Sequence, residues 1–428
     1  MRVMKWSMIA LAVTAGTSQL AMASAQDESK GFIDDSSLSL KLRALYMNRD
    51  FKHGADNPSD ARSGYREESG LGAQMFYESG FTQGTVGFGV DALALGSYRF
   101  DGGTGRRGNG LFAADSNGNL ETSQAKGGAA VKMRVSNTVL KYGNQIVASP
   151  VFSTDDGRLL PEVATGFSVV SNEITDLTLN AGHFTALSSQ TGMGNDSIGY
   201  NGNQGLTTAD IVGATYAFTP NLSGTLAASD IEDYWKRQYA NLNYTLPLSD
   251  EQALNFDFNA YKTKDQGKNL GGENDNVFWS TAVAYSIGAH KFTAGYQRGS
   301  GKTGYGYGVD GNATMFLNNS VQFSDFVGED EQSWQARYDL NMKTYGIPGL
   351  SFMTRYVYGY DITTTSGEEG KEHEWDFETK YVVQEGPIKD MSFRLRSAVW
   401  RASGGYNTDY GSDNNDFRLI VEYPVSIL

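Results

Sequence analysis

Leu38-Ser39-Leu40-Lys41-Leu42-Arg43-Ala44-Leu45-Tyr46 alternates apolar and polar residues with a period of two. Leu38, Leu40, Leu42, Ala44 and Tyr46 point one way and Ser39, Lys41 and Arg43 the other, which is the pattern of a strand and not of a helix. The split returns where Trp334, Ala336, Tyr338 and Leu340 oppose Gln335, Arg337, Asp339 and Asn341. Near the end, Phe417, Leu419, Val421 and Tyr423 oppose Arg418, Ile420 and Glu422. In a soluble sandwich the polar phase faces solvent; in a closed transmembrane barrel it faces a lumen. The rest of the chain chooses between the two.

Arg2 and Lys5 precede an apolar stretch from Met8 to Val13, and Ala23-Ser24-Ala25 supplies an A-x-A cleavage site, so residues 1–25 read as a secretory signal peptide and the mature chain as starting near Gln26. The apolar stretch is far short of the roughly 20 residues a helical span needs, and no later segment approaches that length. A β-barrel is the remaining way to cross lipid, because it pairs every backbone group between strands. Cysteine is absent, which removes a disulfide framework and thiolate metal chemistry. With 51 glycines, 24 tyrosines, 8 prolines and 12% aromatic residues, the composition suits turns and interfacial girdles. The net charge of −14 argues against nucleic acid as a partner.

Connections alternate between short turns and long glycine- and asparagine-rich loops, as expected when turns face the periplasm and loops the outside. Thr219-Pro220-Asn221, Ile287-Gly288-Ala289 and Tyr345-Gly346-Ile347-Pro348-Gly349 are short; the long loops run from Asn48 to Glu67, Arg99 to Lys126, Asn144 to Val163, Ala186 to Thr207 and Gly301 to Gln332. A direct count gives seventeen strands, but a bacterial barrel with both termini in the periplasm needs an even number. Thr165 to Val170 supplies the missing one, with Ser171-Asn172-Glu173 as its turn. The reading is an all-β fold, one 18-stranded antiparallel transmembrane barrel over residues 26–428, wide enough to leave an aqueous channel.

The lumen phase carries Lys41, Arg43, Lys132, Arg134, Arg337, Arg355, Lys380, Arg394, Arg396 and Arg418, each flanked by apolar residues of the other phase. On the lipid face such charges cost about 2 to 4 kcal/mol each near the midplane, so they look inward. Either they brace the wall by pairing with inward Asp91, Asp339, Asp376 and Glu378, or their excess over those acids makes a track that draws anions in. In the third long loop, Ser153-Thr154-Asp155-Asp156-Gly157-Arg158 runs straight into Leu159-Leu160-Pro161, which fits a loop folded against the inner wall with Asp155, Asp156 and Arg158 at a constriction; a surface turn capped by Asp155 and Asp156 is the alternative. His53, His183, His290 and His373 have no metal-ligand spacing, and no nucleophile-elbow or P-loop motif occurs. The acidic runs Gly328-Glu329-Asp330-Glu331 and Asp413-Asn414-Asn415-Asp416 read as solvated loops, with calcium as the alternative.

Taken together, these residues resemble the OprD-type porins, the outer-membrane carboxylate channels of pseudomonads. The resemblance rests on Ser39 to Phe51, on Arg158-Leu159-Leu160-Pro161 with Ala164-Thr165-Gly166-Phe167, on Asn319-Ser320-Val321-Gln322-Phe323-Ser324-Asp325-Phe326, on Ser333-Trp334 and Pro348-Gly349-Leu350, and on the ending Phe417 to Leu428. It implies a pore narrowed by inward-folded third and seventh loops and lined by a basic ladder of Arg355, Lys380, Arg394, Arg396 and Arg418. It places Asp156, Arg158, Ser320 and Asp325 at the constriction, to which the inward Arg43, Lys132 and Arg134 are added. The implied function is passive uptake of small carboxylate solutes, with no cofactor, no metal and no enzymatic step. The implied surroundings are outer-membrane lipid and lipopolysaccharide in a Gram-negative outer membrane, as a monomer or weak homotrimer. One branch of the family favours basic amino acids and related peptides, the other cyclic or aromatic monocarboxylates. Compact length and the loop aromatics Phe152, Tyr305, Tyr307 and Phe316 lean this chain to the second. A barrel hydrolase using His183 or His290, and a sealed adhesin, are the competing classes.

Overall fold

A computed structural model of the chain describes residues 24–196 and 205–428. The expected signal peptide lies outside the described residues, apart from Ser24 and Ala25.

The strands are β1 (Ser37–Phe51), β2 (Tyr65–Glu78), β3 (Val86–Asp101), β4 (Ser123–Val135), β5 (Thr138–Gln145), β6 (Ala148–Ser149) and β7 (Phe152–Ser153). They continue with β8 (Val163–Ile174), β9 (Leu177–Ser188), β10 (Ala209–Thr219), β11 (Leu222–Ile231), β12 (Trp235–Ser249), β13 (Gln252–Asp265) and β14 (Asn276–Ile287). The last are β15 (His290–Gly301), β16 (Gln332–Asn341), β17 (Leu350–Ile362), β18 (Gly370–Val382), β19 (Ser392–Ala402) and β20 (Asn414–Ser426). Eighteen form one antiparallel sheet in sequence order, with β5 paired to β8 across the third loop, while β6 and β7 make a small hairpin inside that loop. The sheet closes where β1 meets β20, in register from Ser39 opposite Ser426 to Phe51 opposite Asn414. Closure removes both edges, so no row of backbone donors and acceptors faces lipid.

The alternation that defines β1 sets the two faces. Outward positions are large and exposed, including Phe167, Leu226, Phe258, Trp334, Trp375 and Phe393, as a lipid-facing surface requires. Short turns close one end: Gly288 and Asp176 both take left-handed backbone angles, φ 54° and 63°, in their two-residue connections. The strand after the third loop runs on to Ile174, and its turn is Thr175-Asp176. Ser171 to Glu173, read from sequence as the turn, are an irregular strand end whose register with β9 shifts between Ser171 and Ile174. That bulge hides the alternation there. The long connections stand at the other end, and two of them, L3 (residues 146–162) and L7 (residues 302–331), turn back into the barrel.

Candidate functional site

L3 is drawn inward by its own apolar residues. Leu159 and Leu160 are 0% and 1% exposed and pack with Leu45 and Met47 of β1, Leu93 and Leu95 of β3 and Leu111 and Phe112. Burying each leucine contributes about 1.5 to 3 kcal/mol, which a solvent-exposed turn would forgo. Space for this approach comes from Gly72, where a Cβ would lie 2.4 Å from the Leu159 carbonyl oxygen. Gln74 secures the same strand by donating to that carbonyl at 2.9 Å.

The polar tip of the loop is then clamped to the same wall, further along β1. Asp156 accepts from Arg43 at 2.8 Å and from Lys41 at 2.6 Å, and Arg43 also pairs with Glu422 at 2.6 Å. Although burial opposes ionisation, Arg43 and Lys41 hold the Asp156 carboxyl below the usual carboxylate range. Arg158 donates to the Asn109 carbonyl at 2.7 Å and has no carboxylate within 4 Å among the described residues. Burial pushes its guanidinium down to about 10, with Arg418 and Arg49 adding like-charge repulsion and Asp155 opposing it.

L7 crosses the lumen on hydrogen bonds from its backbone. The amides of Phe323 and Ser324 donate to the Glu374 carboxylate of β18 at 2.9 and 2.8 Å. The Gln322 side chain donates to Asp416, and Arg418 donates to the Gln322 carbonyl at 2.9 Å. On the other side Gln297 of β15 donates to the Phe326 carbonyl and Gln335 of β16 to the Asn318 carbonyl. Within L7 the Asp325 carboxylate accepts from the Ser320 hydroxyl and from the Tyr307 hydroxyl at 2.7 Å. Burial pushes this carboxyl up, and both hydroxyls pull against that.

Between the two loops and the wall of β1, β19 and β20 lies a cavity of about 370 Å³. Its charged lining is Arg43, Asp155, Asp156, Arg158, Asp325, Arg394, Arg396, Arg418 and Glu422, joined by Tyr307 and Ser320. The strand register explains the ladder. Lys380, Arg394, Ile420 and Leu45 lie side by side in one inward row, and Glu378, Arg396, Arg418 and Met47 in the next. A third row holds Asp376, Ala398, Asp416 and Arg49.

The ladder is not uniform. Arg355 is buried against Asp376 at 2.6 Å, and Arg418 against Asp416 at 2.6 Å, with Arg49 on the same carboxylate at 2.7 Å. Arg337 likewise pairs with Asp339 at 2.6 Å. Arg394 and Arg396 share Glu378 at 3.7 and 3.2 Å, and their Nε atoms are buried without a hydrogen-bond partner. Lys380 has no carboxylate within 4 Å among the described residues. The inward cations thus differ in setting: Arg337, Arg355 and Arg418 are each paired with a carboxylate on the wall, while Arg394 and Arg396 share one and Arg158 has none, and all three of these line the cavity.

Of the residues expected at the constriction, Arg43, Asp156, Arg158, Ser320 and Asp325 meet there, along with ladder residues Arg394, Arg396 and Arg418. Lys132 and Arg134 do not. They sit beside the short turn after β4, where Lys132 pairs with Asp91 at 2.6 Å, Arg134 donates to Gln26, and both stand over the Phe81 ring. Arg355 and Lys380 lie on the same wall, outside the cavity lining. Phe152, Tyr305 and Phe316 are packed in or against an apolar cluster and are absent from the cavity lining; Tyr307, which packs against the same cluster, is the one of the four loop aromatics that lines it. Glu331 and Asp416, read as members of solvated acidic runs, are buried at 0% and 1% exposure. Burial and the neighbouring Glu372 push the Glu331 carboxyl well up. The histidines stand apart, with His183 on Asp210 and His290 on Tyr338. No group of three metal-ligating side chains occurs among the described residues.

Glu374, which holds L7, escaped the sequence reading although it shares the inward phase of Asp376 and Glu378; following the alternation two residues further would have found it. Glu162 and Gln322 carry no such signal, because they sit in loops.

The outer membrane porin, OprD family, model matches residues 30–427. Porin D of Pseudomonas aeruginosa is 46% identical over the whole of both chains. The crystal structure of OccAB1 of Acinetobacter baumannii superposes with a TM-score of 0.87 at 34% identity, covering 95% of this chain and all of that one. A structure of Pseudomonas aeruginosa OpdK with vanillate gives 0.84 at 33% identity, covering 92% and 100%. The eighteen-stranded barrel, the inward third and seventh loops and these likenesses over essentially the full length agree, and the chain belongs to the OprD family of outer membrane porins.

Proposed function

We propose that this outer membrane porin passes small solutes bearing a carboxylate, by passive diffusion along Arg396 and Arg394 at the constriction. The observation that carries the reading is the placement of these two guanidiniums, which line the cavity, share the single carboxylate of Glu378 through their Nε atoms at 3.7 and 3.2 Å, and keep side chains 30% and 21% exposed. A planar carboxylate offers the paired acceptors that a guanidinium fork binds most strongly. Lys380, next in the inward row, extends the track, and release stays fast because each step is weak.

For the finer preference, an aromatic or cyclic monocarboxylate is supported by the likeness to OpdK with vanillate. The alternative, basic amino acids and small peptides, is favoured by a specific observation: Asp325, with Ser320 and Tyr307, shares the cavity with the arginines and offers a negative group to a solute carrying both charges. Single-channel conductance in a planar bilayer, titrated with benzoate and with arginine, decides. Current interruptions by either solute that vanish in Arg394→Ala, Arg396→Ala support the carboxylate channel, and a folded barrel unaffected by both solutes refutes it. The mature chain is proposed to begin near Gln26, which N-terminal sequencing of the outer-membrane protein tests.

A further inference from the structure

Glu162 lies at the end of L3, 0% exposed, outside the lining of the cavity. Its Oε2 accepts the backbone N–H of Asp155 at 2.8 Å, and its own N–H donates to the Asp155 carbonyl at 2.9 Å, so residues 155 and 162 close the tip of L3 into a small ring. Its Oε1 accepts the backbone N–H of Asn312 in L7 at 2.6 Å. One carboxylate thus grips the backbones of both loops that form the constriction. The residues it grips belong to the lining or adjoin it: Asp155 lines the cavity with Asp156, Gly157 and Arg158, and the lining residues Ala313, Thr314 and Met315 follow Asn312.

The approach is built into the neighbouring residues. A Cβ on Gly311 would lie 2.8 Å from the Glu162 carboxyl carbon and 2.5 Å from Leu187, so the L7 backbone settles on the carboxylate because position 311 is glycine. A second bond between the loops, from Thr314 N–H to Ser153 Oγ at 2.7 Å, lies beside the first, and Gln190 bridges Asn312 and Asp155.

We propose that Glu162 is a positioning residue that sets the aperture of the channel by holding L3 and L7 at one separation. The ionised carboxylate accepts both N–H groups fully, whereas the protonated acid has one good acceptor oxygen and a weaker hydroxyl. Burial pushes the carboxyl up to about 7 against the two N–H bonds, which places the change near neutrality. The charged groups that face it are Asp155 on its own loop and Lys126 of β4; L7 and β9 present Gly311, Asn312 and Leu187. The sign follows: the loops are held above neutrality, and the hold on one of them weakens as the pH falls through that range.

The inference rests on the chain being a porin and is independent of its solute, so it is read in potassium chloride alone. Open-channel noise and sub-conductance switching are recorded above and below neutrality. Wild type is quiet above neutrality and noisier below. Glu162→Gln turns an amide donor toward one of the two N–H groups, so its occupancy of displaced states rises about tenfold above neutrality and ceases to depend on pH. In a cysteine-free chain, Ser153→Cys with Thr314→Cys ties the loops by one disulfide, which quiets the Glu162→Gln channel when oxidised and releases it when reduced. A folded Glu162→Gln channel with wild-type noise and wild-type pH response overturns the proposal. Should that variant fail to fold, the disulfide in the otherwise wild-type chain carries the test, and pH-dependent noise that persists with the loops tied overturns it. A folded wild-type barrel that conducts nothing would instead refute the channel itself.

Discussion

From β9 to β14 the inner wall is covered by apolar side chains of L3 and L7, whereas from β17 round the seam to β1 it is charged, met by the loops largely at polar contacts and bare only along the cavity. On the covered side Phe184, Ile211, Trp235, Tyr239, Tyr261 and Phe278 project inward and are met by Val151 and Phe152 of L3 and by Tyr305, Val309 and Leu317 of L7. On the charged side Arg394, Arg396 and Arg418 face a cavity. Both sides obey the same period-two alternation. The difference lies in what the loops bring, apolar and aromatic side chains to one wall and backbone amides plus a few acids to the other. A barrel of this width would be an open pore, and the packing of L3 and L7 against β9 to β14 leaves the cavity along β1, β19 and β20. The division predicts that the plugged side carries stability and that the open side, on the proposed function, carries selectivity.

The largest effect should come from emptying the plug. Phe184→Ala, at a side chain with no exposure that stacks on Phe152 at 5.1 Å, should cost about 3 to 5 kcal/mol, read as a lower unfolding midpoint in detergent or lipid. Channels that still fold should keep their response to solute; loss of that response with unchanged stability would reverse the assignment of the two sides.

Next is the clamp between them. Asp156→Asn should cost about 1 to 2 kcal/mol, since the site is partly exposed, and raise conductance as the L3 tip leaves Lys41 and Arg43. Because the folded-state pKa of Asp156 is depressed, its contribution is present above the usual carboxylate value of about 4 and is lost as pH falls through the lower folded value. Conductance of wild type should therefore rise in strong acid while that of Asp156→Asn stays flat.

On the open side, Arg394→Ala with Arg396→Ala should change stability by about 1 kcal/mol or less and weaken block by a carboxylate solute about tenfold or more, measured by current interruption. Asp325→Asn should weaken block by arginine and leave block by benzoate unchanged, which separates the two solute classes. The smallest effect belongs to Lys380→Gln, a shift of a few tenths of a kcal/mol in anion attraction, read as reversal potential in a salt gradient and larger at low salt.

Individual residues show how far reading from sequence reaches. Arg394 and Arg396 between Phe393, Leu395 and Val399 could be sent inward with no structure at hand, since lipid rejects charge. That Arg355 is locked to Asp376 while Arg394 shares a distant carboxylate could not, because it depends on the offset between strands. Lys132 and Arg134 have the same sequence signature as the ladder and a different place along the barrel axis. The run Arg158-Leu159-Leu160-Pro161 left an inward loop and a surface turn both open, and the burial of Leu159 and Leu160 and the partner of Arg158 came only with the structure.

By itself the sequence determined the barrel, its lipid face and the sign of its lining, since each follows from a local period of two and the cost of charge in hydrocarbon. Only the tertiary structure decided which side of the lumen the loops cover, which arginines have no carboxylate to themselves and how L3 and L7 are held. Those outcomes rest on contacts between residues far apart in the chain, Arg43 with Glu422, Arg43 with Asp156 and Glu162 with Asn312. No local pattern specifies such pairs; they exist once eighteen strands close in one register and the loops have no other apolar surface to bury against.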